Sequence, residues 1–130
     1  MPRYKELSKE SREILDSSSI EFVCKLEDIL KERDISQTDF SILTGLRPAT
    51  IGEMIADKKF TINKEHLQIC MLVLKLTNLN QLYEIRFNSA EELTRMKTEY
   101  EEMLSNKYTK EQEEILRANP KSSFNKKKKA

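Results

Sequence analysis

The sequence predicts an all-α protein: a five-helix bundle over residues 18–88 followed by additional C-terminal helices. Leu, Ile, Met, Glu and Lys dominate, and 35% of residues are charged. The alternation of apolar and polar residues that marks strands is almost absent. Capping residues recur ahead of apolar positions at helical spacing.

Residues 1–17 are charged with sparse apolar positions (Leu7, Ile14, Leu15), which suits a short helical arm without a core of its own. Ser18 with Glu21 has capping-box spacing, and Phe22, Val23, Leu26, Ile29 and Leu30 then give a broad apolar stripe, predicting a helix over 19–33. Ser36 is an N-cap for a helix over 37–44 whose apolar side is Phe40 and Leu43. Gly45 ends that helix: a sharp turn needs a left-handed residue, and glycine carries no Cβ penalty there. Pro48, whose missing N–H costs nothing in a first turn, opens a helix over 48–56 with Ile51, Met54 and Ile55 facing inward.

After a loop over 57–61, Asn63 caps a helix carrying Leu67, Cys70, Met71 and Leu74, and Asn78 with Gln81 opens a short fifth one. Residues 89–119 change character. Ser89 and Glu92 form another box, Leu93, Met96, Tyr100 and Met103 make a narrow seam, and a short helix after Thr109 ends before Pro120. Residues 120–130, with Lys126 to Lys129, are expected to be a flexible basic tail.

A chain of 130 residues has room for one domain of ordinary size and some extra. With 23 basic and 22 acidic residues its formal net charge is +1, so any polyanion binding must be local. No apolar run reaches the ~18 residues of a membrane span, and MPRYKELSKE lacks the apolar core of a secretory signal, so the protein is expected to be cytoplasmic. Cys24 and Cys70 lie far apart without the Cys/His neighbours of a zinc site, which implies free thiols in a reducing compartment. His66 is the only histidine, and no phosphate loop, nucleophile elbow or paired metal ligands occur. Neither an enzyme nor a cofactor nor a metal is expected.

The ordered set Ser36-Gln37, Ser41, Gly45 and Thr50-Ile51, within ILKERDISQTDFSILTGLRPATIGEMIADKK, resembles the lambda-repressor-like (Xre/Cro) helix-turn-helix family. The likeness covers Ile20 to Phe87. It implies double-stranded DNA as partner, with helix 48–56 in the major groove and the start of helix 37–44 at a backbone phosphate. Gln37 is then a phosphate contact, and Arg47, where the family commonly has a capping Ser or Thr, clamps phosphate or reads guanine. Ala49 offers a methyl to thymine, Thr50 a hydroxyl, and Glu53 an acceptor for cytosine N4. Lys58, Lys59 and Lys64 face adjacent phosphates. Pro48 has nothing polar to offer a base, so direct readout is sparse.

Three features depart from the family pattern. Leu30 and Ile55 stand where an ion pair is common, and an apolar pair can replace a buried ion pair without loss of stability. Ala56-Asp57-Lys58 stands where the next loop usually has a glycine, so Asp57 is expected in the left-handed region. Residues 20–87 carry nine basic and ten acidic residues, a net of −1, although Glu21, Glu27, Asp28 and Glu32 are expected on the first helix, away from DNA.

Regulators of this type read two half-sites as homodimers, and the Leu93, Met96, Tyr100, Met103 seam is the candidate contact, unless it packs back on the bundle. The expected function is a sequence-specific DNA-binding transcriptional regulator, a repressor. The alternatives are a protein-interaction module that uses the charged C-terminal helices, or an antitoxin-like repressor with a protein partner.

Overall fold

Phe40, Leu26, Ile51, Leu74, Leu82 and Cys70 lie at most 2% exposed and come from five separate segments of the chain. Those segments are too short to be stable alone, and burial of each side chain, worth roughly 1.5–3 kcal/mol, holds them together. The computed structural model describes residues 7–17, 20–57 and 61–126. It forms two units, 1–87 and 88–130.

The first unit runs α1 (Lys9–Ser17), β1 (Ile20–Cys24), α2 (Leu26–Glu32), α3 (Gln37–Thr44), α4 (Pro48–Ala56) and α5 (Lys64–Leu74). A single 3-10 turn over Leu79–Gln81 and strand β2 (Tyr83–Phe87) complete it. Helices predominate, and the only sheet among the described residues is the antiparallel pair β1–β2.

Two elements differ from the sequence expectation. The helix expected over 19–33 begins at Leu26, because Ile20–Cys24 pairs as a strand, Ile20 opposite Phe87 through Cys24 opposite Tyr83. Phe22 and Val23 therefore belong to a ribbon, and Glu21 is not on the first helix. Ile20, Phe22 and Cys24 alternate with Glu21 and Val23, a period of two that a helical reading of a short apolar run overlooks. Ser18, the expected cap, lies outside the described residues.

The second difference is the expected fifth helix. Asn78 and Gln81 do form a reciprocal capping box, but it closes one 3-10 turn before β2 begins. Lys25 N–H donates to Leu82 O at 2.7 Å, extending the ribbon's ladder toward the core. A smaller correction falls on α3, where Phe40 is buried but Leu43 is 62% exposed. Two turns of helix bring only the Phe40 side to the core, and Leu43, three residues on, has rotated past it.

The other caps match. Ser36 Oγ accepts from Asp39 N–H at 3.0 Å. Asn63 Oδ1 accepts from Glu65 N–H at 2.9 Å and His66 N–H at 3.1 Å. Arg33 Nη1 donates to Leu74 O at 2.6 Å, satisfying a carbonyl at the end of α5.

The second unit holds α6 (Ala90–Asn106), α7 (Lys110–Ala118) and α8 (Ser123–Lys126). Ser89 caps α6, and Thr109 with Gln112 forms a capping box on α7, which ends before Pro120 as expected. The short α8 falls inside the stretch expected to be a tail, and residues 127–130 lie outside the described residues. Glu102 Oε2 accepts from Lys110 N–H at 3.1 Å, and Tyr108 meets Phe124 edge-on at 5.8 Å between ring centroids. Among the described residues no helix is long and apolar enough to cross a membrane.

Candidate nucleic-acid interface

Gly45 has φ 75° and its N–H donates to Ser41 O, ending α3 in the left-handed conformation expected of that residue. Ser41 Oγ donates to Leu46 O at 2.6 Å, and Thr44 Oγ1 accepts from Leu46 N–H at 3.1 Å. The turn between α3 and α4 is thus held by side chains of α3, with no partner outside the motif required.

Arg47 is the N-cap of α4 and is extended (φ −64°, ψ 146°), with no side-chain capping bond. Its exposed side chain is therefore not engaged by the helix end. Pro48 is the first helical residue, as expected.

Ile51 is fully buried, and Met54 and Ile55 pack partly buried against the core. That fixes the rotation of α4: Ala49 and Glu53 are exposed on the opposite side and Thr50 is half-buried at its margin. Gln37, the first residue of α3, is exposed. Lys64 opens α5 and is exposed. Lys58 and Lys59 lie outside the described residues.

Leu30 is buried and Ile55 belongs to the same core, so the position where the family often has an ion pair is filled with hydrocarbon here. The acidic residues of α2 are Glu27, Asp28 and Glu32, whereas Glu21 lies on β1.

Asp57 takes the left-handed C-cap of α4 at φ 54°, as the missing glycine implies. Its carboxylate has a further role that sequence reasoning missed. Asp57 Oδ2 accepts the Cys24 backbone N–H at 2.9 Å, tying the end of α4 to the ribbon. The paired alternations Ile20-Phe22-Cys24 and Tyr83-Ile85-Phe87 were the signal that could have placed a ribbon there.

Beside that tie, Thr50, Glu53, Met54 and Asp57 line a cleft with Thr61, Asn63, His66 and Tyr83. Burial pushes the Cys70 thiol up to about 11, and burial is also the main cause of the upward shifts of Cys24 and Tyr83. Cys70 is buried and Cys24 half-buried, and both are free thiols.

Residues 25–86 match the family described as the Cro/C1-type HTH DNA-binding domain, a stretch that runs from the N-cap of α2 into β2. No curated protein and no solved structure matches the chain. A turn held by Gly45, an α4 anchored by Ile51 and a matched family over the same residues have one meaning: residues 25–86 form a Cro/C1-type helix-turn-helix DNA-binding domain of the lambda-repressor-like (Xre/Cro) family.

Proposed function

We propose that this chain is a sequence-specific transcriptional regulator, a repressor, that inserts α4 in the major groove of a two-fold operator. The observation that carries the reading is the outer face of α4. Arg47, Ala49, Thr50 and Glu53 are presented on a short helix whose rotation is fixed by buried Ile51 and whose entry is fixed by the Gly45 turn. In this reading Arg47 reaches guanine or a flanking phosphate, Ala49 meets a thymine methyl, Thr50 contacts base or backbone, and Glu53 accepts from cytosine. Gln37, at the start of α3, and Lys58 and Lys59, after α4, hold backbone phosphates.

Selection of bound duplexes from a random-sequence pool at ~150 mM salt tests the proposal. A two-fold-symmetric sequence should be enriched, and it should relax by ~1–3 kcal/mol of discrimination per contacted base in Arg47→Ala and Glu53→Ala. Weak binding with no enriched sequence, vanishing as salt rises, would overturn it.

A second reading rests on the C-terminal unit. Met96, Tyr100, Met103, Leu104 and Ile115 are exposed there, while Leu93 is half-buried. The seam of Leu93, Met96, Tyr100 and Met103 suits contact with another copy or with a protein partner, as an antitoxin-like repressor would need.

A further inference from the structure

Three sulfurs from three elements gather behind the cleft beside α4. Cys70 on α5 is fully buried, and its S–H donates to Met54 Sδ on α4 at 4.0 Å. Cys24, the last residue of β1, packs half-buried against the same core. It lies near enough for a charge on its sulfur to raise the Cys70 thiol, and its side chain is hydrogen-bonded to Tyr83. The Cys24 backbone is held from two sides, by pairing with Tyr83 in the ribbon and by the Asp57 carboxylate. A single buried thiol is ordinary apolar packing, but two thiols and a thioether converging from three elements are also a ligand set.

The donor types select the ion. Thiolate and thioether are soft ligands that favour Cu(I), whereas calcium and magnesium take oxygen. Zinc in a closed site takes four ligands, and among the described residues no three His, Cys, Asp or Glu side chains gather as a metal site. The spacing agrees with a three-coordinate ion. Two sulfurs that each bond one ion at about 2.3 Å stand about 4 Å apart when three ligands surround it in a plane. Cys70 and Met54 already have that separation, 4.0 Å.

We propose that Cys24, Met54 and Cys70 bind one cuprous ion in a three-coordinate, all-sulfur site. Both cysteines ligate as thiolates, so each ion taken up releases two protons to solvent, and neither copper nor sulfur changes oxidation state. Two thiolates around one Cu(I) leave a single net negative charge. The Tyr83 hydroxyl, already bonded to the Cys24 side chain, is placed to donate to that thiolate and offset part of the cost. Met54 and Tyr83 line the cleft, whose volume is about 280 Å³, so an ion entering from solvent meets the thioether first and the buried Cys70 thiol behind it.

The ligands belong to β1, α4 and α5, so a bound ion joins three elements that otherwise meet through packing and the Asp57 tie. Met54 sits on the inner side of the helix whose outer side carries Ala49 and Glu53, so occupancy of the site acts on the element that the proposed regulator reads DNA with. The inference goes beyond that reading without resting on it: it stands on the sulfur cluster alone, and its test contains no DNA.

Anaerobic titration of the full, reduced chain with Cu(I), in competition with a chelator of known affinity, gives the test. One equivalent should bind, with ultraviolet sulfur-to-copper charge-transfer absorption and three sulfur neighbours in X-ray absorption. Met54→Leu conserves volume and keeps the fold, and it should bind about tenfold or more weakly with only two sulfur neighbours. Cys24→Ser should lose the three-sulfur signature as well. Burial keeps both thiols protonated near neutral pH, so two protons leave on binding and the affinity should rise by up to about a hundredfold per pH unit between pH 6 and 8. Copper should raise the Tm of the wild type, because the assembled site exists only in the folded chain. Uptake of two equivalents, Met54→Leu binding like the wild type, or a Tm that falls when copper is added would each overturn the proposal.

Discussion

At Gly45 the backbone sits at φ 75°, and a Cβ added there would meet nothing within 4 Å. The cost of Gly45→Ala is therefore conformational alone. Left-handed backbone disfavours alanine by roughly 1–2 kcal/mol, partly offset by lower entropy of the unfolded chain, so a loss of about 1 kcal/mol is expected in urea denaturation. Gly52 also has open space around it but lies inside α4 with helical backbone. Gly52→Ala should stabilise by about 0.5–1 kcal/mol in the same assay. Opposite signs from the same added methyl are the signature of the turn.

Cys70 adds a pH dependence at the residue scale. Its folded-state value of about 11 lies above the ordinary 9.0 because burial disfavours the thiolate. The stability linked to the neutral thiol is full below pH 9, where folded and unfolded chains are both protonated. It is lost as pH rises toward 11, where the unfolded chain has released its proton and the folded one has not. Denaturation at pH 8, 9, 10 and 11 should show a steeper fall for the wild type than for Cys70→Ala. Equal slopes would remove Cys70 as a cause.

Among the elements, the junction of α4 with the ribbon depends on one carboxylate. Asp57 holds a left-handed backbone that it tolerates better than alanine and accepts the Cys24 N–H. Asp57→Ala should cost about 1–3 kcal/mol in denaturation and speed amide exchange at Cys24, while α3 keeps its protection. Unchanged exchange at Cys24 would mean that the carboxylate is not the tether. The caps at Ser36, Asn63, Asn78 and Ser89 were legible in the sequence because each is a local matter of one side chain and the next turn. The ribbon was not, because β1 acquires its meaning only from a strand far along the chain, Ile20 pairing with Phe87.

For the whole molecule, charge must act by placement. The formal net charge is +1, and residues 20–87 carry −1. Acidic residues gather on α2 (Glu27, Asp28, Glu32) and on the polar face of the ribbon (Glu21, Glu84), leaving Arg47 at the mouth of α4. Few phosphate contacts are then available, and the duplex-selection experiment should return an operator whose binding falls gently with salt, by about one power of concentration per phosphate neutralised. Half-sites about 10–10.5 base pairs apart, or a multiple of that, are the expected geometry if two copies bind one face of the duplex.

Residue order alone was enough for the helical class, the start of each capped helix, the Gly45 turn, the left-handed Asp57 and the helix-turn-helix likeness. Each of these follows from chemistry within a few residues or from a spacing that one short motif displays. The folded chain was needed to show that Ile20–Cys24 is a strand, that the Asn78 box closes a single turn before β2, and that Asp57 joins α4 to the ribbon. These features rest on contacts between distant segments, and an unpaired strand has no local preference strong enough to announce its partner.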